Sequence, residues 1–325
     1  MRRENVYKNR MSFEIFIDGE AGTTGLKVAA RLAAHPHVQL LQIDQAHRKD
    51  ATARADMMAA SDITILCLPD EAAIEAAALA TPGVRLIDAS SAHRTNADWV
   101  YGFAELQPGQ DKLIAAAQQI TNPGCYPTGF LSLARPLIAS GIVPDTALLS
   151  VPAVSGYSGG GKALIAQHDS GDLSPSFSYG THLKHKHLGE MTQYSGLQTP
   201  PIFMPSVAGF YAGMLVHLPL HAGQFTTSVN ADGLYELFAD WYGDAALVGM
   251  GAPGANHSDV PAMLAADALV GGDNMEIFVF SNPAEDHFWL TARLDNLGKG
   301  ASGAAVQNMN IALGLDETLG LNCPN

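Results

Sequence analysis

Between a short apolar run, Phe13-Glu14-Ile15-Phe16-Ile17-Asp18, and a helical segment from Leu26 to about Ala34, the chain places Gly19-Glu20-Ala21-Gly22-Thr23-Thr24-Gly25. A strand that passes through a glycine turn directly into a helix restricts this half of the chain to layered α/β architectures. Glycines at Gly19, Gly22 and Gly25, with Thr23 and Thr24 between them, let backbone N–H groups approach a pyrophosphate at the helix start. The string resembles a dinucleotide-binding turn, although its spacing is GxxGxxG in place of GxGxxG. A glycine-rich turn that holds no ligand reads similarly, so the motif leaves both readings open.

The segments that follow keep the alternation. Strands are expected over Val38 to Ile43, Asp62 to Leu68 and Val84 to Asp88, and Pro69-Asp70 starts an alanine-rich helix through Leu79. This predicts a mostly parallel, doubly wound domain to about residue 120, with ligands outside the carboxyl ends of its strands. Asp44 ends the second strand where an acidic residue would meet an adenosine ribose, and His47-Arg48-Lys49 follows it. Two cations in an acidic protein favour NADP over NAD, through Arg48 and Lys49 on a 2′-phosphate; a solvated loop is the alternative. After the fourth strand comes Ser90-Ser91-Ala92-His93-Arg94, where Arg94 suits a phosphate or carboxylate, or a surface ion pair.

The net charge is −14, which argues against general binding to nucleic acid or anionic membranes, so an anionic ligand needs local positive charge. No apolar run approaches the roughly 20 residues that cross a bilayer. Residues 1–11 read as a disordered leader, with Met11 a second candidate start. Cys67, Cys125 and Cys323 are too few and too scattered for a disulfide framework, which fits a reducing cytoplasm.

Cys125 stands out by context. In Thr121-Asn122-Pro123-Gly124-Cys125-Tyr126-Pro127-Thr128, Pro123 and Gly124 force a turn, and Pro127 suits the first turn of a helix running to Ile138. A sulfur at or just before a helix N-terminus is favoured as the thiolate, the reactive form. Cys67 reads as core packing.

Beyond this helix the strands lengthen. They are expected at Thr146 to Val154, Gly213 to Leu220, Phe225 to Asn230, Asn274 to Ser281 and His287 to Leu294, with a helix from about Leu234 to Tyr242. Ser155-Gly156-Tyr157-Ser158-Gly159-Gly160-Gly161-Lys162 reads as too glycine-rich for a packed element and suited to close approach of a ligand. A last helix opens within Gly298 to Asn308 and reaches about Leu315. The expected division is a cofactor domain over 12–120, a catalytic and oligomerisation domain of α+β type over 121–298, and residues 299–325 packing back onto the first.

Tyr179-Gly180-Thr181-His182-Leu183-Lys184-His185-Lys186-His187-Leu188-Gly189-Glu190 is the second chemically dense stretch. If helical, it puts His182 and His185 on one face with Lys186, and His187 on another with Glu190. Acid/base or anion-binding work, a solvated basic helix and a metal site all remain open, and the lysines count against the metal.

Taken in this order, the glycine turn, Asn122 to Thr128, Ser155 to Lys162, His185 to Glu190 and Lys299 to Asn308 resemble the N-acetyl-gamma-glutamyl-phosphate reductase family over nearly everything after Met11. The string at 155–162 is similar to that of the shorter (type 2) of its two length classes. The resemblance implies a Rossmann-like domain joined to a glyceraldehyde-3-phosphate-dehydrogenase-like α+β domain, NADP as cofactor, a small-molecule substrate, and a homodimer or homotetramer active in arginine biosynthesis. It implies Cys125 as nucleophile and His185 for proton transfer, with Tyr179 and His187 lining the substrate pocket. Arg94 would hold the substrate's anionic end, and Asn122 would help to stabilise an oxyanion. Gly156, Ser158 and Gly159 would approach the nicotinamide, as would Asn308. The longer class carries Ser-Ala-Asp-Phe-Arg where this chain has Ser90 to Arg94.

The implied chemistry is attack of Cys125 on an acyl phosphate, reduction of the thioester, and proton relay by His185, whose ordinary pKa near 6.5 suits both directions. Two alternatives stand beside it. Aspartate-semialdehyde dehydrogenase uses a related substrate in the same architecture, and a dinucleotide-binding sensor would bind without turnover.

Overall fold

The computed structural model describes residues 12–251, 263–282, 284 and 286–323; the leader expected over 1–11 lies outside them. The chain divides into two compact units. The first holds the described part of Met1–Ala104 with Gly109–Pro123 and Ala301–Asn322; the second is mainly Gly124–Gly300, with Glu105–Pro108.

In the first unit a six-stranded sheet runs in the order β2-β1-β3-β4-β6-β5. Its strands are β1 (Phe13–Asp18), β2 (Val38–Leu41), β3 (Ile63–Leu66), β4 (Leu86–Asp88), β5 (Val100–Tyr101) and β6 (Gln119–Thr121), all paired in parallel. The first two connections are the helices α1 (Thr23–Ala33) and α2 (Ala51–Ala60), followed by α3 (Asp70–Leu79) and α4 (Gln110–Ala116). Strand alternation explains the layering. Phe13, Ile15 and Ile17 of β1 pack with Val28 and Leu32 of α1, Ile114 of α4, and Val306, Met309 and Leu313 of the last helix, Gly303–Leu313. Phe16 points the other way, into Met58 of α2, Leu66 and Ala76 of α3. Both faces are therefore dry, as a parallel sheet requires.

The second unit is built on a seven-stranded mixed sheet ordered β11-β12-β13-β10-β7-β9-β8. These are β7 (Ser150–Gly156), β8 (Ser176–Ser178), β9 (Ile202–Ala208), β10 (Met214–His221), β11 (Val248–Met250), β12 (Met275–Asn282) and β13 (His287–Leu294). Its helices are α5 (Cys125–Ala139), α6 (Gly161–Asp169), α7 (Leu188–Ser195) and α8 (Ala231–Trp241). One face of the sheet is covered by α5 and α8. The fit is tight: a Cβ on Gly129 would lie 2.6 Å from Val216 of β10, so α5 approaches at a distance only glycine allows.

Two expectations fail, and one conditional reading falls away. Phe225 to Asn230 forms no strand, because Thr226 bonds to Gly141 and Ile142 and the Asn230 side chain accepts from Gly233 to cap α8. Ser155 to Lys162 is not a loose loop but the end of β7, a 3₁₀ turn over Tyr157–Gly160 and the start of α6. Residues 181–187 are turns and bends, not helix, and α7 begins only at Leu188. Gly180 and Leu183 have φ of 66° and 57°, and two histidine rings take the backbone N–H groups: Lys184 to His182 Nδ1 at 2.9 Å, His187 to His185 Nδ1 at 3.2 Å. Such local bonds compete with a helical ladder.

Candidate active site

Cys125 is the first residue of α5, with Gly124 as its N-cap. The first helical bond, Thr128 N–H to Gly124 C=O, closes at 2.9 Å, so the cysteine lies in the turn where the helix dipole favours negative charge. Two features build the turn. A Glu190 carboxyl oxygen, buried in α7, accepts the Gly124 N–H at 3.1 Å. Gly300 comes so close that a Cβ there would be 2.8 Å from the Cys125 Cβ.

Aromatic and imidazole rings surround this helix start. The Tyr126 hydroxyl donates to the Ser206 carbonyl at 3.1 Å, and burial, then Tyr179 and Cys125, push its phenol well up. Tyr179 is pushed up to about 12, by burial first and also by Cys125, against a lowering hydrogen bond with Tyr126. Both therefore stay protonated near neutrality. The His185 ring lies edge-on to Tyr179, His187 and Phe203, at 5.7, 4.6 and 5.1 Å between centroids.

Burial, then Lys186 and His182, lowers His185 to about 4, so the ring is neutral at physiological pH and not poised near 6.5. Because its Nδ1 accepts the His187 N–H, the remaining proton is on Nε2, which makes that nitrogen the donor. His187 is buried and stands at the N-cap of α7, with its ring 6.2 Å from that of Tyr126.

The remaining expected residues of the second unit lie at the end of β7 and in the 3₁₀ turn that follows it. Gly156 is backed so closely by Tyr211 and Ala212 that a Cβ would come within 2.5 Å, and Ser158 is buried. Gly159 has less crowded surroundings, its nearest neighbour being the Ser155 Oγ at 3.2 Å from a Cβ.

In the first unit, the backbone requires glycine at two positions of the glycine turn and not at the third. Gly19 has φ of 90° and a Cβ there would strike Cys67 O at 2.4 Å; at Gly25 it would strike Gly19 O at 2.5 Å. Gly22, the N-cap of α1, is relieved of such crowding, with nothing nearer than 3.4 Å, and no side chain caps the helix. Thr24 lies in the first turn beside it; the side chain of Thr23 is outside the described residues. Arg48 and Lys49 are exposed on the turn after β2, while Asp44 folds back to accept the Ala46 N–H at 2.9 Å.

Arg94 is buried and donates through Nε to the Asn122 carbonyl at 3.0 Å and through Nη2 to Ala89 at 3.3 Å. Its loop is pinned by Asp88, which bonds Ser90 and holds the His93 Nδ1 at 2.6 Å, with the His93 ring stacked on Trp99. The Asn308 amide donates to Gly102 O at 2.8 Å and to Asn122 Oδ1 at 3.1 Å, and Asn122 in turn donates to Ala301 O at 2.9 Å. Cys67 is pushed up to about 12 by burial, then Asp88 and Asp18, which leaves it an inert core thiol. Among the described residues, no group of three or more His, Cys, Asp or Glu is arranged to hold a metal.

The model of the semialdehyde dehydrogenase NAD-binding domain matches residues 14–114, and that of the semialdehyde dehydrogenase dimerisation domain matches 125–296. An N-acetyl-gamma-glutamyl-phosphate reductase of Trichormus variabilis is 48% identical, covering 95% of this chain and 99% of that protein. One of Rhizobium johnstonii is 46% identical over 93% and 99%. This chain belongs to the N-acetyl-gamma-glutamyl-phosphate reductase family. Solved structures share its fold: an aspartate semialdehyde dehydrogenase II of Vibrio cholerae has a TM-score of 0.67 at 16% identity, covering 93% of this chain and 99% of that one. The enzyme of Candida albicans, solved with NADP, has a TM-score of 0.64 at 11% identity over 93% and 98%.

Members of the N-acetyl-gamma-glutamyl-phosphate reductase family are oxidoreductases that use a nicotinamide dinucleotide, and the residues here fit one. No side chain caps the start of α1, so the N–H groups of its first turn are left to an anion, while the Gly22 N–H itself donates to Gly19 O at 3.0 Å. Asn308 Oδ1 is buried without a hydrogen-bond partner among the described residues, an acceptor suited to a carboxamide N–H. Sequence reasoning missed Glu190 and Gly300 as builders of the cysteine turn; an acidic residue three positions after His187 and the Gly-Lys-Gly string were the available signals.

Proposed function

We propose that the protein reduces N-acetyl-gamma-glutamyl phosphate to N-acetylglutamate 5-semialdehyde with NADPH, through a thioester on Cys125, as a type 2 member of its family in arginine biosynthesis. The observation that carries this reading is Cys125 at the first position of α5, over the buried Glu190 and beside Tyr126 and Tyr179.

Cys125 attacks the γ-acyl carbon, phosphate leaves, and the thioester is a better hydride acceptor than a carboxylate. The bound dinucleotide supplies the hydride. Its negative charge arrives on the former carbonyl oxygen, where the Cys125 N–H at the helix start and the His185 Nε2–H are the donors. An anionic substrate beside His185 opposes the burial and the cations that hold its pKa down, which brings the ring toward the range where it takes the Cys125 thiol proton during attack and returns it to the sulfur as the thiohemiacetal oxyanion collapses to the aldehyde. Arg94 holds the substrate's anionic end, Tyr179 and His187 line its pocket, and Asn122 supports the oxyanion.

The first unit serves as the NADP-binding domain. Arg48 and Lys49 take the 2′-phosphate on an exposed turn, and Asp44, folded onto Ala46, leaves that position to them. The second unit carries catalysis and self-association. Its sheet face opposite α5 and α8 presents Ile202, Met204 and Trp289, each at least 43% exposed, and a cavity of ≈ 650 Å³ opens at its edge beside Leu148, Pro219 and Phe280. A homodimer or homotetramer covers this face.

The test is the reverse reaction. NADP reduction by N-acetylglutamate semialdehyde that requires phosphate supports the proposal; turnover of aspartate semialdehyde in its place favours the rival reductase, and NADP binding without turnover of either favours a sensor.

A further inference from the structure

Asn296 lies buried just beyond β13, 138 residues along the chain from Ser158. Its Oδ1 accepts the Gly213 N–H at 2.8 Å, and its Nδ2 donates to the Ser158 Oγ at 3.0 Å. A backbone N–H is only a donor, so the Gly213 bond fixes which amide atom is oxygen, and the atom facing Ser158 is the NH₂ group. The Ser158 oxygen is consequently the acceptor there, and its own proton must point elsewhere.

The surroundings make this direction permanent. Gly156, Tyr157 and Ser158 donate their N–H groups to Gly213, Phe210 and Tyr211 at 3.0, 3.0 and 2.9 Å, so the loop is tied along its length to the segment before β10. A Cβ on Gly159 would sit 3.5 Å from the Asn296 Nδ2, in ordinary contact, so the amide lies against this turn. Ser158 is buried, and no acceptor for its hydroxyl proton is found among the described residues. A buried donor held in one direction and left unspent is suited to a ligand's acceptor.

We infer that Asn296 is a positioning residue that turns the Ser158 hydroxyl into a dedicated donor for the carboxamide oxygen of the nicotinamide. This rests on the proposed function, which brings the nicotinamide to Ser158. Fixing that oxygen fixes the rotation of the ring about its glycosidic end, and with it the face from which hydride leaves.

The experiment compares Asn296→Asp, Ser158→Ala and the double variant by fluorescence titration with NADPH in alkaline buffer. Aspartate keeps the Gly213 bond but presents an acceptor to Ser158, whose proton then turns inward. Each single variant is expected to bind NADPH about 10-fold more weakly, the worth of one hydrogen bond, and the double variant no more weakly than Ser158→Ala. Losses that multiply in the double variant, or an Asn296→Asp protein with unaltered binding, overturn the inference. A second measurement does not depend on Asn296 variants folding: the thionicotinamide analogue of NADPH, whose sulfur is a poor acceptor, should bind wild type and Ser158→Ala alike. Equal weakening of both dinucleotides by Ser158→Ala contradicts the assignment. Wild type that fails to bind NADPH at all removes the proposed function as well, whereas wild-type binding with independent variant effects removes this inference alone.

Discussion

A carboxyl oxygen of Glu190 accepts the backbone N–H of Gly124 at 3.1 Å, which anchors the residue that caps the cysteine helix to a helix 66 positions further along the chain. Glu190 is 1% exposed, so the bond forms away from water, where losing it leaves a buried donor unmet. Glu190→Gln, which can turn its amide oxygen to Gly124, is expected to fold with a loss of about 1 kcal/mol, and Glu190→Ala to lose about 2–3 kcal/mol. Urea unfolding followed by circular dichroism measures both. Turnover should fall in the same order, and equal stability of all three proteins would show that the contact does not hold the turn.

His185 gives a prediction about pH. Its ring is held down to about 4, so the imidazolium forms only well below neutrality and the Nε2 donor persists through the physiological range. The kcat/KM profile, which reports the free enzyme, should show no acid limb near about 6.5 from this group. His185→Asn should slow turnover by about 10²- to 10⁴-fold. A limb near neutrality that vanishes in the Asn variant would mean the ring titrates there after all.

Much of this was readable in the chain. The runs Phe13 to Asp18 and His287 to Leu294 became strands with those bounds, because a short apolar run interrupted only by Glu14, and apolar residues at every second position from Phe288 to Leu294, leave few other structures. The place of Cys125 at a helix start was legible from Pro123, Gly124 and Pro127, all local backbone constraints. The histidine segment was not, since its spacing left its conformation open while Gly180 and Leu183 adopt left-handed conformations and the imidazoles bond to neighbouring amides. The contact of Glu190 with the cysteine turn, and Asn296 altogether, also escaped notice. Their partners lie 66 and 138 residues away, and no local pattern encodes a contact of that kind.

His217 connects pH with stability. Burial lowers it to about 4, and its Nδ1 accepts the Trp289 Nε1–H at 3.0 Å, with the Thr291 hydroxyl also at 3.0 Å, so a proton there displaces the indole bond. The unfolded chain takes up that proton near about pH 6.5 and the folded chain only near 4, so stability falls as pH drops through this window and rises with pH inside it. His217→Gln should flatten the slope of unfolding free energy against pH by up to one proton. Urea titrations at several pH values test this, and parallel slopes for the two proteins would exclude His217 as the source.

Arg48 and Lys49 decide cofactor preference if they hold the 2′-phosphate. Replacing both with alanine should reduce the preference for NADPH over NADH by about 10-fold, a modest figure because both side chains are exposed. The ratio of kcat/KM values for the two dinucleotides is the measurement. An unchanged ratio places the phosphate on other groups.

The thioester on Cys125 is the step on which the whole reading depends, and it forms before any hydride is needed. Mixing the enzyme with N-acetyl-gamma-glutamyl phosphate in the absence of NADPH, then quenching in acid and analysing the peptides by mass spectrometry, observes it directly. The account predicts a burst of phosphate equal to the enzyme present and an N-acetylglutamyl group on the Cys125 peptide, with neither in Cys125→Ser. Acylation of Cys67 or Cys323 in its place, or full turnover by the serine variant, would contradict it.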